Sequence, residues 1–287
     1  MPNVNFQKKI KYFFDLIRLN KPIGFMLLMW PCWLAMTLVP QEGLELINWY
    51  FYFFLGAFLM RSSGCIINDL IDINLDSKVA RTADRALTSN KITVFESLIL
   101  LFFLLLLSLV ILLQFRLEAI LIGLASIPLI IIYPFLKRYT HWPQLGLGIV
   151  FSWGVLIVSF QFSEVFTYDY LILYLACIVW TLAYDTIYAY QDIKDDINLK
   201  IKSTAVLFGS KGHKYVLAFY NLFFVMLGFL GFYTSNSFIS LVVIIALIIV
   251  INVYLNKWKP DSKDSCNYYF RFNNFIGMIC FLFLIIF

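Results

Sequence analysis

Asn68-Asp69-Leu70-Ile71-Asp72-Ile73-Asn74-Leu75-Asp76 follows directly on an apolar run, Trp49 to Ile67. That run is long enough to cross a bilayer, which needs about 20 mostly apolar residues. The three carboxylates are spaced by three and four residues, so a helix gathers them on one face. Asn68, four residues before Asp72, joins the same edge. Like charges at this range repel by roughly 1 to 4 kcal/mol per pair, so the cluster calls for a counter-ion. A hard divalent cation suits carboxylate and amide oxygens, and Mg²⁺ combines one or two carboxylates with waters and substrate phosphates.

Outward from this stretch the chain is overwhelmingly apolar. Of its 287 residues 62% are hydrophobic and 14% charged, against roughly 45–50% apolar and about 25% charged in soluble domains. A soluble fold is excluded; the chain reads as an all-α, polytopic membrane protein. Nine spans are expected, at 22–40, 48–67, 94–113, 117–135, 143–162, 168–189, 215–235, 237–256 and 268–287. Gly146, Gly148 and Gly154 in the fifth would allow close helix contact. Pro22, Pro31, Pro128 and Pro134 would cap or kink spans. The five cysteines lack paired spacing and read as small core residues, and two distant histidines make no metal site. Residues 1–21 are basic, carry Phe6, Tyr12, Phe13 and Phe14, and lack a signal-peptide pattern, which fits an interfacial segment. The expected organisation is one membrane-embedded unit over 1–287, with Asp-rich loops at 68–92 and 190–214.

Orientation follows from the basic residues. With nine spans, 21 of the 22 lysines and arginines, Arg61 included, fall on one side, and only Arg116 falls on the other. That places the N-terminus and both Asp-rich loops in the cytoplasm, in a bacterial-type inner membrane.

The second loop answers the first. In Tyr184-Asp185-Thr186-Ile187-Tyr188-Ala189-Tyr190-Gln191-Asp192-Ile193-Lys194-Asp195-Asp196, Asp192 and Asp196 lie one helical turn apart. Asp185 and Tyr188 share their face, and Asp195 points away. The acidic clusters follow the second and sixth spans, as in an internal repeat of four helices. Cations accompany both. Lys78, Arg81 and Arg85 are spaced by three and four, Lys202 follows the second cluster, and Tyr133, Lys137 and Arg138 close the fourth span. Carboxylates with cations on one membrane face suit a Mg²⁺-bridged diphosphate, the cations gripping its free oxygens. A cation transporter is the other class of reading. Transport sites place ionisable groups near the bilayer midplane, and these sit at span ends.

N-D-L-I-D-I-N-L-D resembles the N-D-x-x-D-x-x-x-D signature of the UbiA-type intramembrane prenyltransferases. Asp192 and Asp196 match that family's second D-x-x-x-D, and Tyr133 and Lys137 its Y-x-x-x-K. The resemblance covers nearly the whole chain. Three stretches are similar to the 4-hydroxybenzoate polyprenyltransferase branch: R-L-N-K-P-I-G, Y-P-F-L-K-R-Y-T-H-W-P-Q, and Y-D-T-I-Y-A-Y-Q-D-I-K-D-D with K-S-T. One departure is Arg85-Ala86-Leu87, where the family has Arg-Pro-Leu. The resemblance implies nine helices around a central cavity and transfer of a polyprenyl group from its diphosphate to an aromatic ring in ubiquinone synthesis. Sister enzymes with a naphthoate, homogentisate or haem acceptor share the Asp motifs.

On this reading Asn68, Asp69, Asp72, Asp76, Asp192 and Asp196 hold Mg²⁺. Arg81, Arg85, Lys137 and Lys202 stabilise the leaving diphosphate. Tyr133 and Tyr188 shelter an allylic cation. Asp185 accepts the ring proton or engages the phenol, and Arg18, Lys21, Arg61 and Arg138 are all open as partners for the benzoate carboxylate. The expected partners are polyprenyl diphosphate, 4-hydroxybenzoate and lipid, with no nucleic acid. Chain length of the prenyl group and oligomeric state are not legible.

Overall fold

The computed structural model describes residues 6–40 and 43–287, so residues 1–5 of the expected interfacial segment lie outside it. Among the described residues every regular element is helical. The order is α1 (Phe6–Leu16), α2 (Ile23–Met36), α3 (Leu44–Ile71), α4 (Ile73–Asp76), α5 (Val94–Leu112), α6 (Leu117–Ile132) and α7 (Leu136–Tyr139). Then come α8 (Pro143–Phe162), α9 (Tyr168–Ala189), α10 (Ile193–Asn198), α11 (Thr204–Phe208), α12 (Gly212–Ser235), α13 (Phe238–Leu255) and α14 (Lys263–Ile286).

Among the described residues eight helical stretches, the first of them in α3, are long and apolar enough to cross a membrane. The expected span at 22–40 contains the shorter, 14-residue apolar helix α2, with Pro31 inside it. Leu27, Leu34 and Ala35 are fully buried in the core, and α2 packs between α3, α8 and α14.

The most buried span is α9, flanked by α8, α12 and α14, and the least buried is α5. Small residues set the spacing. A Cβ on Gly154 would lie 2.2 Å from Cys32 Sγ, and one on Gly148 would lie 3.0 Å from the Ile178 carbonyl, so α8 meets α2 and α9 backbone to backbone, as its glycines predict. The cysteines are buried and free.

Two apolar clusters organise the interior. The larger runs through α2, α8, α9, α12, α13 and α14. The smaller joins Leu16 of α1, Leu59 and Ile66 of α3, Ala86, Leu87 and Ile92 of the first loop, and Leu104 of α5. The N-terminal helix is therefore docked against the first acidic loop. Lys9 pairs with Glu96, and Lys91 lies over the Tyr12 ring at 5.8 Å. Ala86, the departure from the family pattern, is a buried member of this cluster.

Candidate active site

The helix expected across 68–76 is interrupted. α3 stops at Ile71, Asp72 takes φ −101° and ψ 8°, and α4 begins at Ile73. Between α9 and α10 the same break recurs: a 3-10 turn covers Tyr190–Asp192, and Asp192 takes φ −110° and ψ 6°. Both values lie in the bridge region, where residues of active sites are often found. Asp72 and Asp192 thus hold equivalent places at the ends of the second and sixth expected spans.

The break does not scatter the first carboxylates. Arg85 Nη1 donates to Asp69 Oδ1 at 2.9 Å and to Asp76 Oδ2 at 2.6 Å. Arg18 Nη2 donates to both oxygens of Asp69, at 2.9 and 2.8 Å. Lys137 donates to Asp72, and Arg138 Nη2 stands 3.7 Å from Asp72 Oδ1. Asp69, Asp72 and Asp76 are all buried. Asn68 precedes them, its carbonyl accepting from the Asp72 backbone N–H at 3.0 Å.

The second cluster is tied to the first across the site. Arg81 Nε and Nη2 donate to the Asp192 carboxylate at 2.5 to 3.0 Å, and Arg81 Nη1 donates to Tyr188 Oη at 2.9 Å. The Tyr188 ring lies under the same guanidinium, 5.1 Å from it, and against Phe270. Asp196 accepts from Ser203 Oγ at 3.2 Å. The two acidic ends therefore converge on one place, bridged by an arginine that begins on the first loop and ends on the second.

Several expectations need correction. Lys78, Arg81 and Arg85 do not share a helical face, because residues 77–92 form a chain of turns. Arg81 and Arg85 consequently reach different carboxylates, and Lys78 is exposed. Lys202 is turned aside: its Nζ donates to the Tyr139 carbonyl at 2.9 Å and its backbone N–H to the Lys137 carbonyl. It braces the segment that carries Lys137. Arg61 is not a loop cation. It lies within α3, ten residues before the helix ends, and leaves the tally of basic loop residues.

Arg61 stands instead inside the protein. Its Nε is buried without an acceptor, and its guanidinium lies 5.6 Å from the centre of the Phe151 ring. A Cβ on Gly24 would approach Nε to 2.7 Å, so a larger residue there would push the Arg61 side chain from its present position. An unpaired buried donor of this kind costs about 1–3 kcal/mol or more, and it fits an anionic ligand group.

Arg18, by sequence one of four candidates for the acceptor carboxylate, instead grips both oxygens of the buried Asp69. Its backbone is left-handed, φ 59°, in the turn that brings α1 back over α3. The R-L-N-K-P-I-G stretch carried the signal; the turn geometry did not show in it. Beside it, burial and then the charges of Arg18, Arg81 and Arg85 lower the Lys21 ammonium from the ordinary lysine value of 10.5. The site is thus strongly cationic around its carboxylates.

The donor set fits a hard divalent cation. It consists of carboxylate oxygens, one of which, Asp72 Oδ1, is buried with no hydrogen-bond donor. In this structure cations of the chain itself hold most of the other oxygens, and among the described residues no group of three metal-ligating side chains has closed around a common point.

The model of the UbiA prenyltransferase family matches residues 28–277. A 4-hydroxybenzoate octaprenyltransferase of Francisella tularensis subsp. novicida is 39% identical over 282 residues, covering 98% of each chain. One from Psychromonas ingrahamii is 36% identical over 96% of each. Among solved structures, a UbiA homolog from Aeropyrum pernix superposes with a TM-score of 0.69 at 21% identity, over 90% of this chain and 96% of its own. A UbiA homolog from Archaeoglobus fulgidus bound to GPP and Mg²⁺ gives 0.68 at 16% identity, over 96% and 99%.

Proposed function

The chain belongs to the UbiA prenyltransferase family, and we propose that it transfers a polyprenyl group from its diphosphate to 4-hydroxybenzoate, ortho to the hydroxyl, as a step toward ubiquinone. The observation that carries the reading is the convergence of Asp69, Asp72 and Asp76 with Asp192 and Asp196 on one end of the bundle, interleaved with Arg81, Arg85 and Lys137. Relatives named for this reaction, similar over nearly their full length, support it.

Asp69, Asp72, Asp76, Asp192 and Asp196, with Asn68, would hold Mg²⁺. When bound, it would neutralise the diphosphate and make it a better leaving group. Arg81, Arg85 and Lys137 stand where the leaving oxygens gain charge. The allylic C–O bond breaks with its electron pair going to the diphosphate. The faces of Tyr133 and Tyr188 shelter the allylic cation and keep water from it. The ring carbon ortho to the phenol oxygen bonds to that cation and then loses its proton, with Asp185 the candidate acceptor. Of the four cations open on sequence, Arg61 is the one whose donor is buried and unpaired, so the benzoate carboxylate is assigned to it. The apolar tail lies in lipid, because holding a long isoprenoid in water is costly. The acidic ends face the cytoplasm in the inner membrane, as the distribution of loop lysines and arginines indicates.

The test is incubation of membranes containing the protein with 4-hydroxybenzoate, a polyprenyl diphosphate and Mg²⁺, followed by mass spectrometry of the lipid extract. A prenylated hydroxybenzoate that disappears with EDTA and returns with Mg²⁺ is expected. A product only with a naphthoate or homogentisate would move the chain to a sister reaction. Cation flux in proteoliposomes without any prenyl diphosphate would favour the transporter.

A further inference from the structure

Charge balance within the site carries a further step. Asp69, Asp72, Asp76, Asp192 and Asp196 are matched by Arg18, Arg81, Arg85, Lys137 and Arg138, all within the same cluster. The pairing is specific. Arg18 grips Asp69 through both oxygens, Arg85 bridges Asp69 to Asp76, Arg81 crosses from one loop to the other, and Lys137 takes Asp72. Asp69 and Asp72 are each 1% exposed, so neither could stay ionised here without a positive partner. The cations best placed to meet a diphosphate are thus already engaged, on the oxygens best placed to meet a metal.

Resting on the diphosphate reading above, we propose that Arg81 and Lys137, seconded by Arg18 and Arg85, are exchange counter-ions. They neutralise the acidic helix ends while the site is empty, and move to the diphosphate when a divalent cation takes the carboxylates. A divalent cation arriving alone must displace these side chains into a site with no anion to receive them. A diphosphate arriving alone must pull them off buried carboxylates, which are then left unpaired. Together the two ligands exchange partners with the protein and add little net charge. Each therefore binds weakly alone and tightly with the other, and the coupling is reciprocal.

The geometry indicates which side chains swing. Arg81 spans the two loops and its side chain is 30% exposed, against 13% for Asp192, so it has solvent-side room to leave. Lys137 sits on the short α7, and its partner Asp72 has a second oxygen already without a donor. Tyr188 keeps Arg81 within reach of the site after exchange, through its ring and its hydroxyl.

The experiment uses the full chain in nanodiscs, with Mn²⁺ and inorganic pyrophosphate as probes. Bound Mn²⁺ is measured by electron paramagnetic resonance, and the Mn²⁺–pyrophosphate complex in solution is calibrated separately. The wild type should bind Mn²⁺ about 5–150-fold more tightly when pyrophosphate is present, the usual span for two coupled ligands. Arg81→Gln and Lys137→Gln should bind Mn²⁺ alone several-fold more tightly than the wild type, because a competitor has been removed, and should gain less from pyrophosphate. A purely structural role predicts the opposite sign, and the two variants lie on separate elements, so misfolding of one leaves the other to decide. Absence of coupling in the wild type, or unchanged or weaker Mn²⁺ binding in both variants, would overturn the exchange. Coupling without prenyl transfer would sink the reaction proposed above and leave the exchange standing; transfer without coupling would do the reverse.

Discussion

The two acidic helix ends share a backbone break but differ in how they are held. At the first, Asp69, Asp72 and Asp76 are buried, and cations from α1, the following loop and α7 converge on them. At the second, Asp192 and Asp196 are half-buried, with one arginine and one serine as partners. The carboxylates of the first end lie in the folded core among several cations, whereas the second end, less buried, is attached to the first mainly through Arg81. A buried pair broken on one side leaves an isolated charge, whereas a more exposed pair relaxes into water.

The largest separation between the two should appear in turnover. Asp72→Asn is expected to lower the rate of prenyl transfer by about 10²–10³-fold, the scale of losing a preorganised electrostatic group. Asp196→Asn is expected to lower it by about ten-fold, the scale of one charged hydrogen bond. Equal losses would erase the distinction. Stability should follow the same order. Asp69→Ala strands Arg18, leaves Arg85 with Asp76 alone and is expected to cost about 3 kcal/mol, while Asp192→Ala should cost about 1 kcal/mol because Arg81 can turn to solvent. Denaturant unfolding in detergent measures both.

Between the two ends lies Arg61, and its substitution sharpens the comparison by belonging to neither. Arg61→Met should raise KM for 4-hydroxybenzoate about 10–100-fold, as expected for losing a charged hydrogen bond, and leave KM for the prenyl diphosphate unchanged. The smallest effect is in pH. Burial and neighbouring cations lower the folded-state value of Lys21, so the unfolded chain binds the extra proton more readily. Stability of the ligand-free protein should therefore rise slightly as pH climbs from that lowered value toward 10.5. Lys21→Met should flatten the rise.

The difference between the ends was only partly visible in the sequence. The D-x-x-x-D spacings gave the carboxylates and their shared destination, because an acidic cluster at the end of an apolar run has few other meanings. The spacing could not reveal that Asp72 and Asp192 interrupt their helices, since that break depends on how the loops fold back. It counted Arg61 with the loop cations although the expected span 48–67 contains it, and the helix running on to Ile71 sets it well inside. It drew the first span over 22–40, where the helix proper covers Ile23–Met36. Lys202 looked like a phosphate ligand by position alone; its hydrogen bond to the Tyr139 carbonyl needed tertiary structure to appear.

Leu16, with no exposed surface, sits in the same apolar cluster as Ala86 and Leu87, and Arg18 two residues later grips Asp69. Trimming the chain from its front is therefore not a neutral act of protein engineering. A version starting near Pro22 would keep α2 and every helix after it, yet would strip one wall from the first loop and leave a deep carboxylate short of a partner. Fusions and expression tags are better placed after Phe287, which closes the last turn of α14 far along that helix from Phe270 beside Tyr188.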